Sequence, residues 1–341
     1  MREEGARLSR RAFACAGIGA GIGALGLSRF ARAQAPVPDA PQNAALAARV
    51  DAASHLTLNV TINGQGPFRF VVDTGAERSV IADNVAAALQ LPVGPSVTVD
   101  GISSRVSAPS VRVERLAFGP FTRRLVMPVL PRLNLQSDGY LGLDALSDAR
   151  VTFDFAHRQV RIDERSVISP HYALLPRDAS HDDASPDTSA VVRAHGKDGH
   201  LRVTDSRVDS VVATAFVDTG AEVSVGNPAL YDALKQRNKM LTELGAVMLS
   251  GVTGGQLPGV VIPVRRIHLQ DILFSDGVLV VADPPDFTTW RLNHRPALLI
   301  GLDYLRQFAA VTIDYRDQAM RFELAAVTPH PTPAVSIEQM G

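Results

Sequence analysis

Phe68-Arg69-Phe70-Val71-Val72-Asp73-Thr74-Gly75-Ala76-Glu77-Arg78-Ser79-Val80 decides the fold, because the chain contains it twice. The second copy is Ala213-Thr214-Ala215-Phe216-Val217-Asp218-Thr219-Gly220-Ala221-Glu222-Val223-Ser224-Val225. The octets that begin at Asp73 and Asp218 agree at seven of eight positions. Each follows an apolar run rich in Val, Phe and Ala, which reads as a strand. Working outward, Leu56 to Asp73 lies against Leu201 to Asp218 without a gap, at a constant offset of 145. Downstream, Tyr140-Leu141-Gly142-Leu143-Asp144-Ala145-Leu146 and Val151-Thr152-Phe153-Asp154-Phe155 pair with Leu299-Ile300-Gly301-Leu302-Asp303-Tyr304-Leu305 and Val311-Thr312-Ile313-Asp314-Tyr315. The period is too long for a solenoid repeat and implies two similar lobes.

Most of the remaining pattern is β. Asn63-Gly64-Gln65-Gly66 lies between two strand-like runs and reads as a hairpin turn. Helical signals are few: Ile81 to Leu89 with Asp83 as N-cap, Ala229 to Arg237 after Pro228, Leu143–Leu146, and its counterpart Leu302–Phe308. The chain divides into a leader (1–35), an N-terminal segment (36–50), a first lobe (51–166), a linker (167–195), a second lobe (196–326) and a tail (327–341). The linker is assigned from polar, proline-bearing, aperiodic sequence.

Ser9-Arg10-Arg11-Ala12-Phe13 fits a twin-arginine export signal, followed by the glycine-rich apolar run Ala14–Leu27 and the cleavage pattern Ala33-Gln34-Ala35; an ordinary general-secretion signal or an uncleaved anchor is the alternative. Periplasmic or secreted location is the expectation, with no membrane anchor after cleavage. The single cysteine, Cys15, lies in this leader, so the mature chain has no thiol for disulfides, catalysis or metal. Cleavage leaves 28 basic and 33 acidic residues, a mildly acidic chain that does not suggest nucleic-acid binding. The nine histidines show no metal-ligand spacing, and no cofactor motif occurs.

Asp-Thr-Gly-Ala after an apolar strand, followed by a hydrophobic-hydrophobic-Gly element, resembles the retropepsin-like aspartic proteases. Two copies in one chain resemble the pepsin arrangement. The likeness spans roughly residues 51–326 and implies an all-β, bilobal pepsin/retropepsin-like fold acting as a monomer on a polypeptide. It implies Asp73 and Asp218 as the catalytic pair, Thr74 and Thr219 as the residues that lock the active-site loops together, and Gly142 and Gly301 as glycines beneath the loops. Gly75 and Gly220 leave room at the scissile bond. Ala76, Glu77, Ala221 and Glu222 follow as substrate-facing positions. For Glu77 and Glu222 a structural ion pair is the alternative. Two departures stand out: Leu143 and Leu302 occupy the place of the retroviral arginine, and neither flap carries the tyrosine of pepsins. Both point to cellular bacterial relatives.

Two carboxyls close together cannot both ionise, so one serves as base and the other as acid, as is established for aspartic proteases. Hairpins around Gly101 and Gly251 are the expected flaps, their glycines admitting an extended peptide; surface hairpins with turn glycines are the alternative. Asp144, Asp303, Asp154 and Asp314 read as helix-start and turn residues. An insertion in the second lobe, Asp283 to Pro296, carries the only tryptophan, Trp290, which either lines a specificity pocket or plugs the core.

Overall fold

The computed structural model describes residues 43–51, 55–163, 189–197 and 200–324. The leader, residues 167–188 of the linker and the tail lie outside them.

The described chain is all-β with short helices. The first lobe contains β1 (Asn43–Ala47), β2 (Arg49–Val50), β3 (Leu56–Ile62), β4 (Gln65–Val72), β5 (Val80–Ala82), β6 (Val93–Asp100), β7 (Arg105–Phe118), β8 (Phe121–Leu130), β9 (Gly139–Leu141), β10 (Arg150–Asp154) and β11 (Gln159–Asp163). Its helices are α1 (Asp83–Ala88), α2 (Arg132–Leu135) and α3 (Leu143–Leu146). The second holds β12 (Ser189–Arg193), β13 (His195–Lys197), β14 (His200–Val208), β15 (Val211–Val217), β16 (Val225–Gly226), β17 (Gly245–Ser250), β18 (Gln256–Leu269), β19 (Ile272–Val281), β20 (Ala297–Ile300), β21 (Ala310–Asp314) and β22 (Ala319–Glu323). Its helices are α4 (Pro228–Arg237), α5 (Pro285–Thr289) and α6 (Leu302–Leu305).

The two lobes repeat one eight-stranded sheet. Strand order is β2-β3-β4-β9-β5-β8-β7-β6 in the first and β13-β14-β15-β20-β16-β19-β18-β17 in the second, with β3–β7 and β14–β18 pairings curling each sheet on itself. Parallel pairing of β4 with β9 and of β15 with β20 brings the two halves of the sequence repeat side by side within each lobe. Alternation explains the core: in β3, Leu58, Val60 and Ile62 are buried while Asn59 is exposed. The expected hairpin forms between β3 and β4, with Asn63 and Gly64 both at positive φ, the requirement of a tight primed turn.

A six-stranded sheet, β1-β11-β10-β21-β22-β12, joins the lobes. The equivalent residues Thr152 and Thr312 face each other across β10 and β21, their hydroxyls 2.9 Å apart, so the pseudo-twofold axis passes between them. Arg150 closes the same pair of strands by an ion pair to Asp314.

Some local expectations need correction. Ser189–Arg193, inside the stretch assigned as linker, is a strand paired to β22. Asn43–Ala47, left unassigned, is a strand on the opposite edge of the same sheet. Both are polar or alanine-rich edges whose pairing comes from the partner strand. The first helix begins at Asp83, which is therefore inside it; the N-cap is Ala82. Asp83 instead accepts from the Arg132 backbone N–H. Pro228 is the first residue of α4, and Asn227 caps it by accepting from Leu230 N–H at 2.9 Å. The last predicted helix stops at Leu305 rather than Phe308.

Candidate active site

Each Asp-Thr-Gly loop leaves the end of a buried strand, β4 or β15, and turns back into β5 or β16. Local bonds shape both turns. Asp73 Oδ1 accepts from Gly75 N–H at 2.8 Å and Ala76 N–H at 3.1 Å. Asp218 Oδ1 accepts from Gly220 N–H at 2.8 Å.

Beneath each loop is a matched clamp. Gly142 N–H donates to Ser79 Oγ and Gly301 N–H to Ser224 Oγ, at 3.0 and 2.9 Å. A Cβ on Gly142 would collide with the Ala76 carbonyl, and one on Gly301 with the Ala221 carbonyl. Asp144 accepts from Ser79 N–H and Oγ–H, and Asp303 from the same groups of Ser224. Asp144 and Asp303 sit in the first turns of α3 and α6, as the sequence suggests, and their carboxylates also brace the loops across the fold. Asp154 and Asp314 do accept turn amides, from His157 and from Arg316 and Asp317.

The threonines cross between lobes. Thr74 N–H donates to Thr219 Oγ1 and Thr219 N–H to Thr74 Oγ1, each at 3.1 Å. Thr219 Oγ1–H donates to the Val72 carbonyl at 2.9 Å, and Thr74 Oγ1–H to the Val217 carbonyl at 3.3 Å. Both side chains are buried, so these bonds exchange without competition from water.

This lock sets Asp73 and Asp218 side by side, each carboxyl packed against the glycine of the opposite loop. A methyl on Gly75 would overlap the Asp218 carboxyl, and one on Gly220 the Asp73 carboxyl. Glycine is therefore required on both loops by the approach of the opposite lobe. Burial raises both carboxyls above the ordinary range. Asp218 is pushed up to about 7, by burial first and then by the Asp73 charge. Asp73 is raised by burial, while the Gly75 amide, Asp218, His55 and the Ala76 amide pull it back. Two carboxyls this close titrate as a unit rather than independently.

Two hairpins meet tip to tip. The tip between β6 and β7 touches the tip between β17 and β18: Thr253 Oγ1–H donates to the Ser104 carbonyl at 3.0 Å, Ser104 Oγ lies 3.1 Å from Thr253 Oγ1, and Ser103 Oγ–H donates to the Gly254 carbonyl. Gly101 faces Thr253 and Gly251 faces Ile102, so each glycine makes room for the other tip. Both φ values are ordinary; the positive-φ glycines of these tips are Gly254 and Gly255.

Ala76 and Ala221 point their carbonyls down to Leu143 and Leu302 amides. The Glu77 and Glu222 side chains are exposed. Glu77 lies 3.6 Å from His200 Nε2 of the other lobe. The insertion builds α5 and sets Trp290, half-buried, against Phe216 in a stacked contact at 4.3 Å, with Phe287 edge-on. It also brings Asp286 to the cleft. That carboxyl is pushed up to about 6 by burial and by the charges of Asp218, Asp100 and Glu77.

His55 and His200 were missed. Both are buried, and both reach the opposite loop. They stand at the same offset of 145, one residue before the gapless repeat was taken to begin.

Residues 58–145 match the family model of aspartyl proteases. The match holds the first Asp-Thr-Gly loop, its flap and Gly142, and it supports an aspartic protease. No curated protein matches the chain. Among solved structures the chain is similar to conglutin gamma, a basic 7S globulin from lupine seeds, at 13% identity and a TM-score of 0.46, covering 83% of this chain and 95% of that one.

Proposed function

We propose that the chain is an exported aspartic endopeptidase that hydrolyses peptide bonds with a water held between Asp73 and Asp218. The observation that carries this reading is the juxtaposition of two carboxyls, each delivered by an equivalent loop against the opposite loop's glycine and locked there by the crossed threonine bonds. The water oxygen bonds to the scissile carbonyl carbon while its proton passes to the ionised carboxylate. The protonated carboxyl gives its proton to the carbonyl oxygen, forming a gem-diol. On collapse the C–N bond breaks, the nitrogen takes a proton from one carboxyl, and the other recovers a proton from a diol hydroxyl. The pair returns to its singly protonated state.

In this reading Gly75 and Gly220 keep the space at the scissile bond, and the meeting flaps exclude water from it. Ala76, Ala221, Glu77, Glu222 and the flap residues around Gly101 and Gly251 border the peptide. The enzyme needs no cofactor and acts as a monomer. Export is supported by Arg10-Arg11 and Ala33-Gln34-Ala35; N-terminal sequencing should find a start near Ala33–Pro36 in the exported fraction, and an intact Met1 in the cytoplasm would oppose it. The activity is tested by incubating the mature chain with a random peptide library beside Asp73→Asn. Cleavage by the first alone supports the reading. Binding without cleavage would make the chain a peptide-binding protein instead.

A further inference from the structure

The two histidines occupy equivalent positions but different chemical settings. His55 Nδ1 lies 3.0 Å from Asp51 Oδ2, and its Nε2 lies 3.1 Å from the Gly220 carbonyl oxygen. A carbonyl oxygen only accepts, and so does a carboxylate. Both ring nitrogens must therefore carry hydrogen, which makes His55 an imidazolium. Asp51 also accepts the His55 backbone N–H at 2.8 Å, which fixes the ring over the opposite loop. In the second lobe the position equivalent to Asp51 is Gly196. Among the described residues His200 has no such carboxylate behind it; its Nε2 lies 3.6 Å from the exposed Glu77, beyond hydrogen-bond length.

The loops differ in the same sense. Asp73 accepts two backbone amides and Asp218 one. Donors to a carboxylate favour its charged form.

We infer that His55, held as an imidazolium between Asp51 and the Gly220 carbonyl, is a positioning residue that gives the resting negative charge of the pair to Asp73 and leaves the proton on Asp218. The inference rests on the paired-aspartate reading and adds to it which carboxyl takes the water proton. The surrounding groups agree. Gly220, whose carbonyl accepts from His55, lies directly against the Asp73 carboxyl, so the ring sits on the Asp73 side of the pair. Although burial opposes its charge, Asp51, Asp73 and Glu222 together hold the His55 pKa above the ordinary value. The Tyr140 ring lies edge-on 6.5 Å away and stays a neutral phenol, because burial raises its pKa. Asp218 faces Asp73, His200 and Asp286. Burial lowers His200, so it brings no standing charge near neutrality.

The test needs no substrate. Side-chain carboxyl 13C and imidazole 15N resonances are titrated in the mature chain, with Asp73 and Asp218 assigned by their loss in the Asn variants. The expected result is that Asp73 ionises first and that both His55 nitrogens show the protonated signature at pH 6.5. In His55→Gln the Asp73 midpoint rises on the order of 1 pH unit, since a nearby cation is gone. His200→Gln leaves that midpoint in place. If His55→Gln fails to fold, Asp51→Asn serves: His55 should turn neutral and the Asp73 midpoint should rise. A neutral His55 in the wild type, or Asp218 ionising first, overturns the inference. A chain with the expected titration that cleaves no peptide refutes the hydrolase reading instead, and a cleaving chain with Asp218 ionising first refutes only the charge assignment.

Discussion

The two active-site loops share seven of eight residues, yet they sit in unlike surroundings. The first carries two amide donors on its aspartate and a charged histidine braced by Asp51. The second has one donor, a histidine with no bracing carboxylate among the described residues, and a third carboxyl, Asp286, supplied by an insertion the first lobe lacks. On the charge assignment inferred above, a symmetric scaffold positions two identical groups and asymmetric neighbours divide the charge and the proton between them.

The largest break in the comparison is the loss of either carboxyl. Asp73→Asn and Asp218→Asn should each lower kcat/KM on a cleaved peptide by about 10³-fold or more, because acid and base must both be present. Both variants should fold, since asparagine keeps the side-chain shape and the crossed threonine bonds remain. Retention of most activity by one of them would mean that the lobes are not joint contributors.

Next comes spacing. Gly75→Ala and Gly220→Ala each drive a methyl into the opposite carboxyl. Each should reduce kcat by about 10²-fold, the scale of a displacement near 1 Å, with equal losses if the lobes approach symmetrically. Steady-state kinetics on both variants checks this.

The threonine lock is symmetric as well. Thr74→Ala or Thr219→Ala should destabilise the chain by about 1–3 kcal/mol in denaturant unfolding, and the double variant should cost less than the sum, because each hydroxyl bonds to the other residue's backbone. Serine at either position should keep most of the stability.

Asp286 gives the smallest and most one-sided effect. Asp286→Asn removes a like charge from the Asp218 side, so the upper limb of the pH–rate profile should fall by on the order of half a pH unit, with the lower limb unchanged. Movement of both limbs would show that the insertion does not discriminate between the lobes.

Much of this was legible in the sequence because it is encoded twice. The repeated octets, the Asn63-Gly64 turn and the Gly142 and Gly301 segments each carry their own local signature. What escaped depends on distant partners. Ser189–Arg193 becomes a strand only because β22 offers an edge. Asp144 and Asp303 are the helix starts the sequence suggests, but their hold on Ser79 and Ser224 appears only once the chain is folded. Gly101 and Gly251 suggest contact with a peptide, whereas each faces the opposite hairpin tip. His55 and His200 carried a readable signal: extending the repeat one residue upstream pairs them, and four residues further Asp51 meets Gly196.

The pH dependence of kcat/KM for the wild type tests most directly whether the two carboxyls work as one singly protonated unit. The profile should be a bell. It falls on the acid side as the ionised carboxylate gains a proton, and on the alkaline side, near pH 7, as burial and the neighbouring charge finally yield and Asp218 loses its own. A rate that climbs or stays level from pH 6 through pH 9 would contradict the paired-carboxyl account.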